Sequence, residues 1–337
     1  MEALDRNLQD IARSVLAQYD IEPVKIQVVQ QGGIKTVWKV ITGNDTFCLK
    51  RLKHTKEKAL FSDEAQRYIR SKGGLVPDII LNRAHEAITD RNDELFVLYE
   101  WIEGKQLNFG NKEDFMAAME GLAHFHKSSK GYRPPEGARV STKIAKWPDQ
   151  YRSMLNRLTE WKSVSARKAG TPVHDAYLKW VDPIIALGEK AIRYLEGSSY
   201  GDLSAPNSQA IVLCHQDYGK GNGLLTPDGV WILDMYGVTF ELAARDLRKI
   251  ILKTMEDKGK WHEESMLEII SWYERANTLS MEEKRMVYID TLFPHGFFGT
   301  VKNQFQKNKP VKALSIEQIG RIEMSKENSL ESLIKGV

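Results

Sequence analysis

The feature that most constrains this chain is a set of polar residues at fixed spacing, from His215 to Asp234. His215 and Asp217 are followed by Asn222, and a short apolar run at 230–233 then ends at Asp234. Phosphoryl transfer from a nucleotide needs a carboxylate to orient the attacking hydroxyl and oxygen ligands to hold magnesium on the phosphates. Because several side-chain types recur at set distances, this pattern is much more specific than an isolated glycine motif.

A kinase catalytic loop presents these groups as an aspartate, an asparagine five residues later, and a second aspartate on the next strand. The sequence therefore predicts Asp217 as the catalytic base, with Asn222 and Asp234 as magnesium ligands. His215 is expected to brace the loop rather than react.

Composition is that of a soluble globular enzyme: the 337 residues are 42% hydrophobic and 28% charged. This length allows two lobes, each with its own core. The formal charge of +3, without a long Lys/Arg run, argues against nucleic acid as the main partner.

No apolar run approaches a membrane span and no signal core opens the chain, so we expect cytoplasmic synthesis and no membrane partner. Cys48 and Cys214 lie in apolar runs and are expected to be reduced and buried.

The first hundred residues are expected to form a mainly antiparallel sheet with one inserted helix. The helical spacing of residues 57–71 stops at Gly73 and Gly74, which is a typical helix end. An opening helix is predicted at about 4–19, and strands at 24–29, 37–41, 47–52 and 95–99.

Beyond Gly104 the apolar spacing is mostly helical, with short strands predicted at 211–214 and 230–233. Two helix starts are indicated in this half. Asp182-Pro183 is interpreted as an N-cap followed by proline in the first turn, and Ser280–Glu283 as a capping box.

The predicted fold class is α+β, a protein-kinase-like two-lobed fold. We expect a small antiparallel N-terminal nucleotide-binding lobe at 1–103 and a larger, mainly helical C-terminal lobe at 104–337. The second lobe would carry the catalytic loop at 213–222 and the metal-binding strand end at 230–237.

Lys50 lies on the predicted third strand, where a kinase places the lysine that pairs with the α- and β-phosphates. Strand alternation leaves Arg51 and Lys53 as alternatives. Glu64 is the expected partner of Lys50, since it shares a helical face with apolar neighbours, and Glu57 is the alternative.

Two further segments are candidates for nucleotide contacts. Gly32 and Gly33, between the first two strands, would let backbone N–H groups approach phosphate oxygens, although paired glycines also turn hairpins. Glu100 to Ile102 would form the hinge strand, whose backbone is placed to bind an adenine edge.

These motifs together resemble the aminoglycoside phosphotransferase and choline kinase-like superfamily, and within it the spore coat protein S and spore coat protein I family. The resemblance spans about residues 10 to 300. It rests on the following blocks: Val37–Val40, Cys48–Arg51, Trp101–Gly104, Leu213–Asn222, Arg245–Lys249 and Asp290–Pro294.

The resemblance implies Mg²⁺- and ATP-dependent transfer of the γ-phosphate to a hydroxyl group, with the roles already given to Lys50, Asp217, Asn222 and Asp234. It also implies deposition in the spore coat, with other coat proteins as partners. Small-molecule kinases of this group commonly carry a second acid two residues after the metal aspartate. Tyr236 stands there in this chain, so the number of metal ions is open.

The acceptor is not identified by the sequence; it could be a small molecule, a saccharide or a coat component. An alternative hypothesis is an inactive pseudokinase that serves as a building or docking module of the coat, which Tyr236 and the short glycine loop favour. A nucleic-acid binder would rest only on scattered basic residues such as Lys302 and Lys307.

Overall fold

A computed structural model describes residues 2–32 and 35–336 of the chain. Its helices are α1 (Glu2–Leu16), α2 (Lys56–Ser71), α3 (Lys112–Ser129), α4 (Trp147–Ala166), α5 (Pro172–Glu196), α6 (Tyr200–Leu203), α7 (Ala244–Lys258), α8 (Glu263–Glu274), α9 (Met281–Leu292), α10 (His295–Phe305), α11 (Ala313–Ser325) and α12 (Glu327–Gly336). Its strands are β1 (Lys25–Gly32), β2 (Lys35–Ile41), β3 (Thr46–Arg51), β4 (Ile79–Ile80), β5 (Thr89–Arg91), β6 (Glu94–Glu100), β7 (Lys105–Gln106), β8 (Ile211–Cys214), β9 (Gly223–Thr226), β10 (Gly229–Ile232) and β11 (Thr239–Leu242).

The N-terminal region is an antiparallel sheet in the order β1-β2-β3-β6-β4, with β5 also paired to β6. The C-terminal region is mainly helical. The predicted α+β class, with an antiparallel sheet followed by a mainly helical region, is therefore confirmed.

Side chains alternate along β3, so consecutive residues contact different clusters on the two faces of this sheet. Leu49 is fully buried and packs with Trp38 and with residues of α1 in one core cluster. Lys50, the next residue, points to the opposite face, where Tyr99 and Tyr236 belong to a second cluster. Since side chains alternate in a strand, the apolar packing of Leu49 fixes the direction of Lys50.

The chain divides into two compact units. One consists of Met1–Ser141 with His215–Thr239, and the other of Thr142–Cys214 with Phe240–Val337. This division follows spatial compactness, and the lobe boundary between residues 103 and 104 stays a prediction. The segment that carries Asp217 and Asp234 thus folds in the same unit as the N-terminal sheet.

In the second unit, two expected helix starts have different outcomes. Ser280 caps α9 in a full capping box with Glu283, as predicted. The prediction at Asp182-Pro183 is wrong, because Pro183 lies inside α5. Buried residues on both sides of the proline, such as Val181 and Ile184, keep the helix continuous by tertiary packing.

A close approach between α3 and β10 generates a stability prediction. A Cβ atom on Gly121 would lie 2.7 Å from Val230 Cβ, whereas a Cβ on Gly299, inside α10, would meet nothing within 4 Å. Both substitutions to alanine gain helix propensity of up to about 1 kcal/mol. Only Gly121→Ala incurs overpacking, typically about 1–3 kcal/mol.

We therefore expect Gly299→Ala to raise the free energy of unfolding, measured in urea. The free energy of unfolding of Gly121→Ala should be lower than that of Gly299→Ala by at least about 1 kcal/mol. Equal stability of the two single variants would contradict the packing described for α3.

Candidate functional site

A cavity of about 210 Å³ lies within the first unit, between the face of the sheet that carries Lys50 and the segment around Asp234. Five of the residues predicted from the sequence line it: Lys50, Glu100, Ile102, Asn222 and Asp234. Cys48 also lines it, and burial raises the pKa of this thiol to about 11, so it stays protonated and unreactive at neutral pH.

Lys50 forms the central ion pair of this cavity. Its Nζ lies 2.7 Å from Asp234 Oδ1, and the two side chains are 11% and 26% exposed. The same Nζ is 4.9 Å from the centroid of the Tyr236 ring, a cation–π distance. Of the three basic residues weighed on β3 and after it, Lys50 is the one at the cavity. Arg51 pairs with Glu94 and Lys53 is exposed.

Asp234 is held in an unusual backbone conformation. Its φ of 61° and ψ of 64° are left-handed, and Gln216 also has a positive φ, 71°. Non-glycine residues adopt this region rarely, and such strain concentrates at functional sites. The left-handed residue ends the strand run and turns the chain into the 3-10 turn Met235–Gly237.

The predicted catalytic loop is tied to the residue before Asp234. The buried His215 ring makes an Nε2 contact of 2.8 Å with the carbonyl of Leu233, and its Nδ1 accepts the N–H of Asp217 at 3.3 Å. The N–H of Leu233 donates to the carbonyl of Asn222 at 2.9 Å. His215 therefore braces the loop, in agreement with its expected structural part.

Asn222 connects Asp217 with the cavity. Its Nδ2 donates to the backbone carbonyl of Asp217 at 2.8 Å and to Asp217 Oδ2 at 3.2 Å. Because the amide nitrogen is used in this way, the amide oxygen is the atom of Asn222 that can serve as a ligand. Asp217 itself does not line the cavity but is bonded to a residue that does.

The partner predicted for Lys50 on α2 needs a correction. Glu64 pairs with Arg67 at 2.9 Å, three residues along the same helix, and does not line the cavity. Glu57, the alternative, is exposed. The acid that α2 turns toward the sheet is Asp63, which is 1% exposed and shares the buried face with Ala59 and Gln66.

Asp63 belongs to a buried hydrogen-bonded cluster with two tyrosines that sequence reasoning missed. The Tyr236 hydroxyl donates to Asp63 Oδ1 at 2.9 Å, the Tyr99 hydroxyl lies 3.3 Å from the same oxygen, and the two hydroxyls are 2.6 Å apart. Asp63 Oδ2 is buried and has no hydrogen-bond partner among the described residues. Burial raises the pKa of Asp63 to about 7, against the opposing effects of the tyrosine hydrogen bonds and the charge of Lys50.

The two glycines predicted to cover phosphate have no structural support here. Gly32 ends β1 in open surroundings and does not line the cavity, and Gly33 lies outside the described residues. At the opposite end, Glu100 N–H donates to the carbonyl of Asp78 at 2.9 Å and Trp101 N–H to that of Thr46 at 3.2 Å. Ile102, which follows, makes no backbone hydrogen bond to another described residue.

Comparison with solved structures shows which fold the chain has. The chain is similar to an aminoglycoside phosphotransferase from Alicyclobacillus acidocaldarius subsp. acidocaldarius DSM 446, with a TM-score of 0.77 and 16% identity, covering 96% of this chain and 95% of that one. It is also similar to amicoumacin kinase hAmiN in complex with AMP-PNP, Ca²⁺ and Ami, with a TM-score of 0.59 and 12% identity, covering 95% and 93%. These likenesses show a kinase-like fold.

Sequence comparison then gives the family. The chain belongs to the family described as "Spore coat putative kinase YutH", whose profile matches residues 13–337. Spore coat protein S of Bacillus subtilis (strain 168) is 22% identical over 330 residues, which is 96% of this chain and 94% of that protein. Endospore coat-associated protein YutH of the same organism is 25% identical over 208 residues, 59% of this chain and 57% of that protein. In the described residues, every helix is too short or too polar to cross a membrane.

The buried carboxyl of Asp63 generates a pH prediction. Its pKa of about 7 in the folded protein exceeds the ordinary value of about 4 in an unfolded chain. Between these values the folded state binds more protons than the unfolded state, so this group lowers the free energy of unfolding as pH rises from about 4 to about 7. Asp63→Asn removes the effect.

We therefore expect the melting temperature of Asp63→Asn, relative to wild type, to rise between pH 5 and pH 8. Asp228→Asn, at an exposed turn between β9 and β10, is the matched control. A difference between Asp63→Asn and wild type that stays constant over this range would contradict the burial of an ionisable carboxyl at residue 63.

Proposed function

We propose that this protein is an ATP- and Mg²⁺-dependent phosphotransferase that moves the γ-phosphate of ATP to a hydroxyl group of an acceptor. The observation that carries the proposal is the convergence of Lys50, Asn222 and Asp234 on one cavity, with Asp217 hydrogen-bonded to Asn222. A structural module has no need to bring an ammonium and two oxygen ligands together from segments 184 residues apart.

The residues at this cavity fit a nucleotide and a magnesium ion. Magnesium prefers a few oxygen ligands together with water and phosphate oxygens, and Asp234 with the amide oxygen of Asn222 supplies that donor set. The Asp234 carboxylate already pairs with a cationic group, since the ammonium of Lys50 lies 2.7 Å from it. Bound magnesium would neutralise charge on the phosphates.

In the proposed complex, Lys50 pairs with phosphate oxygens, and Asp63 is the acid on α2 that faces it in place of Glu64. The backbone carbonyl of Glu100 and the backbone of Ile102 hydrogen-bond the adenine edge. Gly32 and Gly33 remain proposed, as a loop over the phosphates.

Asp217 accepts the proton of the acceptor hydroxyl. The hydroxyl oxygen forms a bond to the γ-phosphorus while the bond from that phosphorus to the bridging oxygen breaks, and ADP leaves with the bonding electrons. The hydrogen bond from the amide of Asn222 to the carboxylate of Asp217 supports this role.

We propose the spore coat as the place of action, since the two relatives named above carry coat names and one of them covers nearly the whole chain. The acceptor is then a small molecule, a saccharide or a component of the coat. A second candidate, an inactive docking module of the coat, is favoured by one observation: Tyr236 is turned into the core and provides no oxygen to the cavity.

The two candidates differ in nucleotide binding. We expect magnesium with ATP to raise the melting temperature of the wild-type protein, because a ligand at 100 times its Kd stabilises by about 2.7 kcal/mol. Asp234→Asn should lose most of this shift, since it removes the ligand charge while asparagine tolerates the left-handed backbone.

The matched control is Asp228→Asn, which removes an exposed carboxylate six residues earlier and should keep the full shift. A wild-type protein without a shift at saturating Mg·ATP would favour the docking module and contradict the phosphotransferase.

Turnover is tested at Asp217. We expect Asp217→Asn to lower phosphate transfer, or ATP hydrolysis to solvent, by about 10²–10⁴-fold, as general-base removal does. Its Mg·ATP thermal shift should match wild type, because Asp217 does not line the cavity. Activity equal to wild type would remove Asp217 from the mechanism.

A further inference from the structure

A groove in the second unit brings together three basic side chains and one acidic side chain. It lies between the first half of α4 and α10, and its volume is about 500 Å³. Its basic residues are Lys146, Arg157 and Lys302, and its acid is Asp149. Sites for small molecules usually have volumes of roughly 300–1,000 Å³, so the groove is large enough to hold a ligand.

The three basic groups have neutral partners. Lys146 Nζ donates to a backbone carbonyl four residues earlier at 3.1 Å, and Arg157 Nη1 donates to Gln306 Oε1 at 2.8 Å. Lys302 Nζ lies 5.9 Å from the centroid of the Phe298 ring. In the part of the chain that the structure describes, no carboxylate pairs with any of these three groups. Their charges are therefore not neutralised by the protein.

The groove keeps a net positive charge even with its one acid. Asp149 is 92% exposed and lies 3.8 Å from Arg152, which does not line the groove. Elsewhere on α4 a lysine does pair with an acid, since Lys162 Nζ lies 2.6 Å from Asp182 Oδ1 on α5. An anionic ligand would complement the groove electrostatically.

The start of α4 adds to the positive potential. Lys146 is the N-cap residue and makes no side-chain capping bond. A cation is unfavourable at this end of a helix, because the helix dipole is positive there. Ala145, the residue before it, has a φ of 59°, a left-handed conformation that alanine rarely adopts. Helix stability explains neither feature, whereas an anion bound beside Lys146 accounts for the charge.

Between the charges the groove offers apolar and neutral polar surface. Phe298 is 7% exposed and stacks on Trp161 with a centroid distance of 5.5 Å, so its ring is held in place. Met154 adds apolar surface, and Gln150 and Ser153 add an amide and a hydroxyl. An aromatic ring with a few neutral polar groups suits a ligand that has both C–H surface and hydroxyls.

The walls of the groove favour a saccharide over an acidic peptide. Extended peptides commonly bind by adding a strand to a sheet edge, and helical peptides bind in apolar grooves. This groove is formed by side chains of two helices and carries charge along its length. A saccharide needs no backbone partner, since its hydroxyls bond to side chains.

We propose that this groove binds an anionic saccharide, one that carries phosphate or carboxylate groups, through Lys146, Arg157 and Lys302. Phe298 supports the sugar ring. The site lies wholly in the second unit, and the proposal goes beyond the nucleotide site of the first unit and does not depend on it.

The test is isothermal titration calorimetry of the full chain with trigalacturonate, glucose 1,6-bisphosphate and neutral maltotriose. We expect at least one anionic saccharide to bind at least about tenfold more tightly than maltotriose, with a Kd that rises at high salt because exposed charges are screened. The tighter of the two anions identifies carboxylate or phosphate as the group recognised. Failure of both to bind, or equal binding of maltotriose, would overturn the proposal. Pentaglutamate that binds as tightly as the better saccharide would overturn the choice of a saccharide.

Variants then locate the site. Arg157→Gln combined with Lys302→Gln removes two charges from the groove, and the Kd should rise about tenfold or more, since hydrogen bonds to charged groups are the stronger ones. The matched control is Lys307→Gln combined with Lys309→Gln, which removes the same charge from exposed residues outside the groove. The control should bind as wild type does. An equal loss in both double variants, or no loss in the first, would overturn the assignment to this groove.

Folding and nucleotide binding are measured separately on the same variants. Circular dichroism reports whether the groove variant folds; if it does not, Lys302→Gln alone decides, and an unchanged Kd overturns the assignment. The Mg·ATP thermal shift should be the same in wild type and in both double variants. A protein that binds the saccharide without showing a Mg·ATP shift would contradict the phosphotransferase and support the groove.

Discussion

The ion pair between Lys50 and Asp234 is the interaction on which the rest of this site depends. It joins a central strand of the N-terminal sheet to a segment 184 residues later. Partly buried ion pairs contribute little net stability, because desolvation offsets much of the attraction. Asp234 additionally sits in a strained left-handed conformation. Stability alone does not account for two costly features at one point, whereas the proposed site for a cation and phosphates does.

A buried layer of three side chains lies beside that ion pair. Asp63, Tyr99 and Tyr236 link α2, β6 and the turn that follows Asp234 through hydroxyl and carboxyl contacts of 2.6, 2.9 and 3.3 Å. The layer includes a carboxyl whose pKa is raised to about 7 by burial, and a carboxylate oxygen without a hydrogen-bond partner in the described structure. Its charge lies within electrostatic reach of Lys50, so the layer sets both the position and the electrostatic surroundings of the ammonium.

Much of this arrangement could be predicted from local patterns. The spacing of Asp217 and Asn222 belongs to a single loop, so their contact follows from sequence proximity. Strand alternation left Arg51 and Lys53 as alternatives to Lys50, and the structure places Lys50 at the cavity. The fold class followed from the change between strand-like and helical periodicity near Gly104.

Features that depend on distant packing could not be predicted in this way. The helical face of Glu64 was chosen from its apolar neighbours, yet the face that turns inward is one residue away and carries Asp63. A buried acid is rare and is tolerated here because two tyrosines from other segments bond to it. Pro183 was interpreted as a helix start from the local pattern alone. Only the packing on both sides of it shows that α5 continues through this residue.

The most direct test of the central claim is a crystal structure of the protein with magnesium and AMP-PNP. The account predicts magnesium at about 2.0–2.1 Å from oxygens of Asn222 and Asp234, with Lys50 Nζ on a phosphate oxygen and the adenine against Glu100–Ile102. Nucleotide bound away from this cavity, or bound in it with Lys50 and Asp234 still paired and no metal on Asp234, would contradict it.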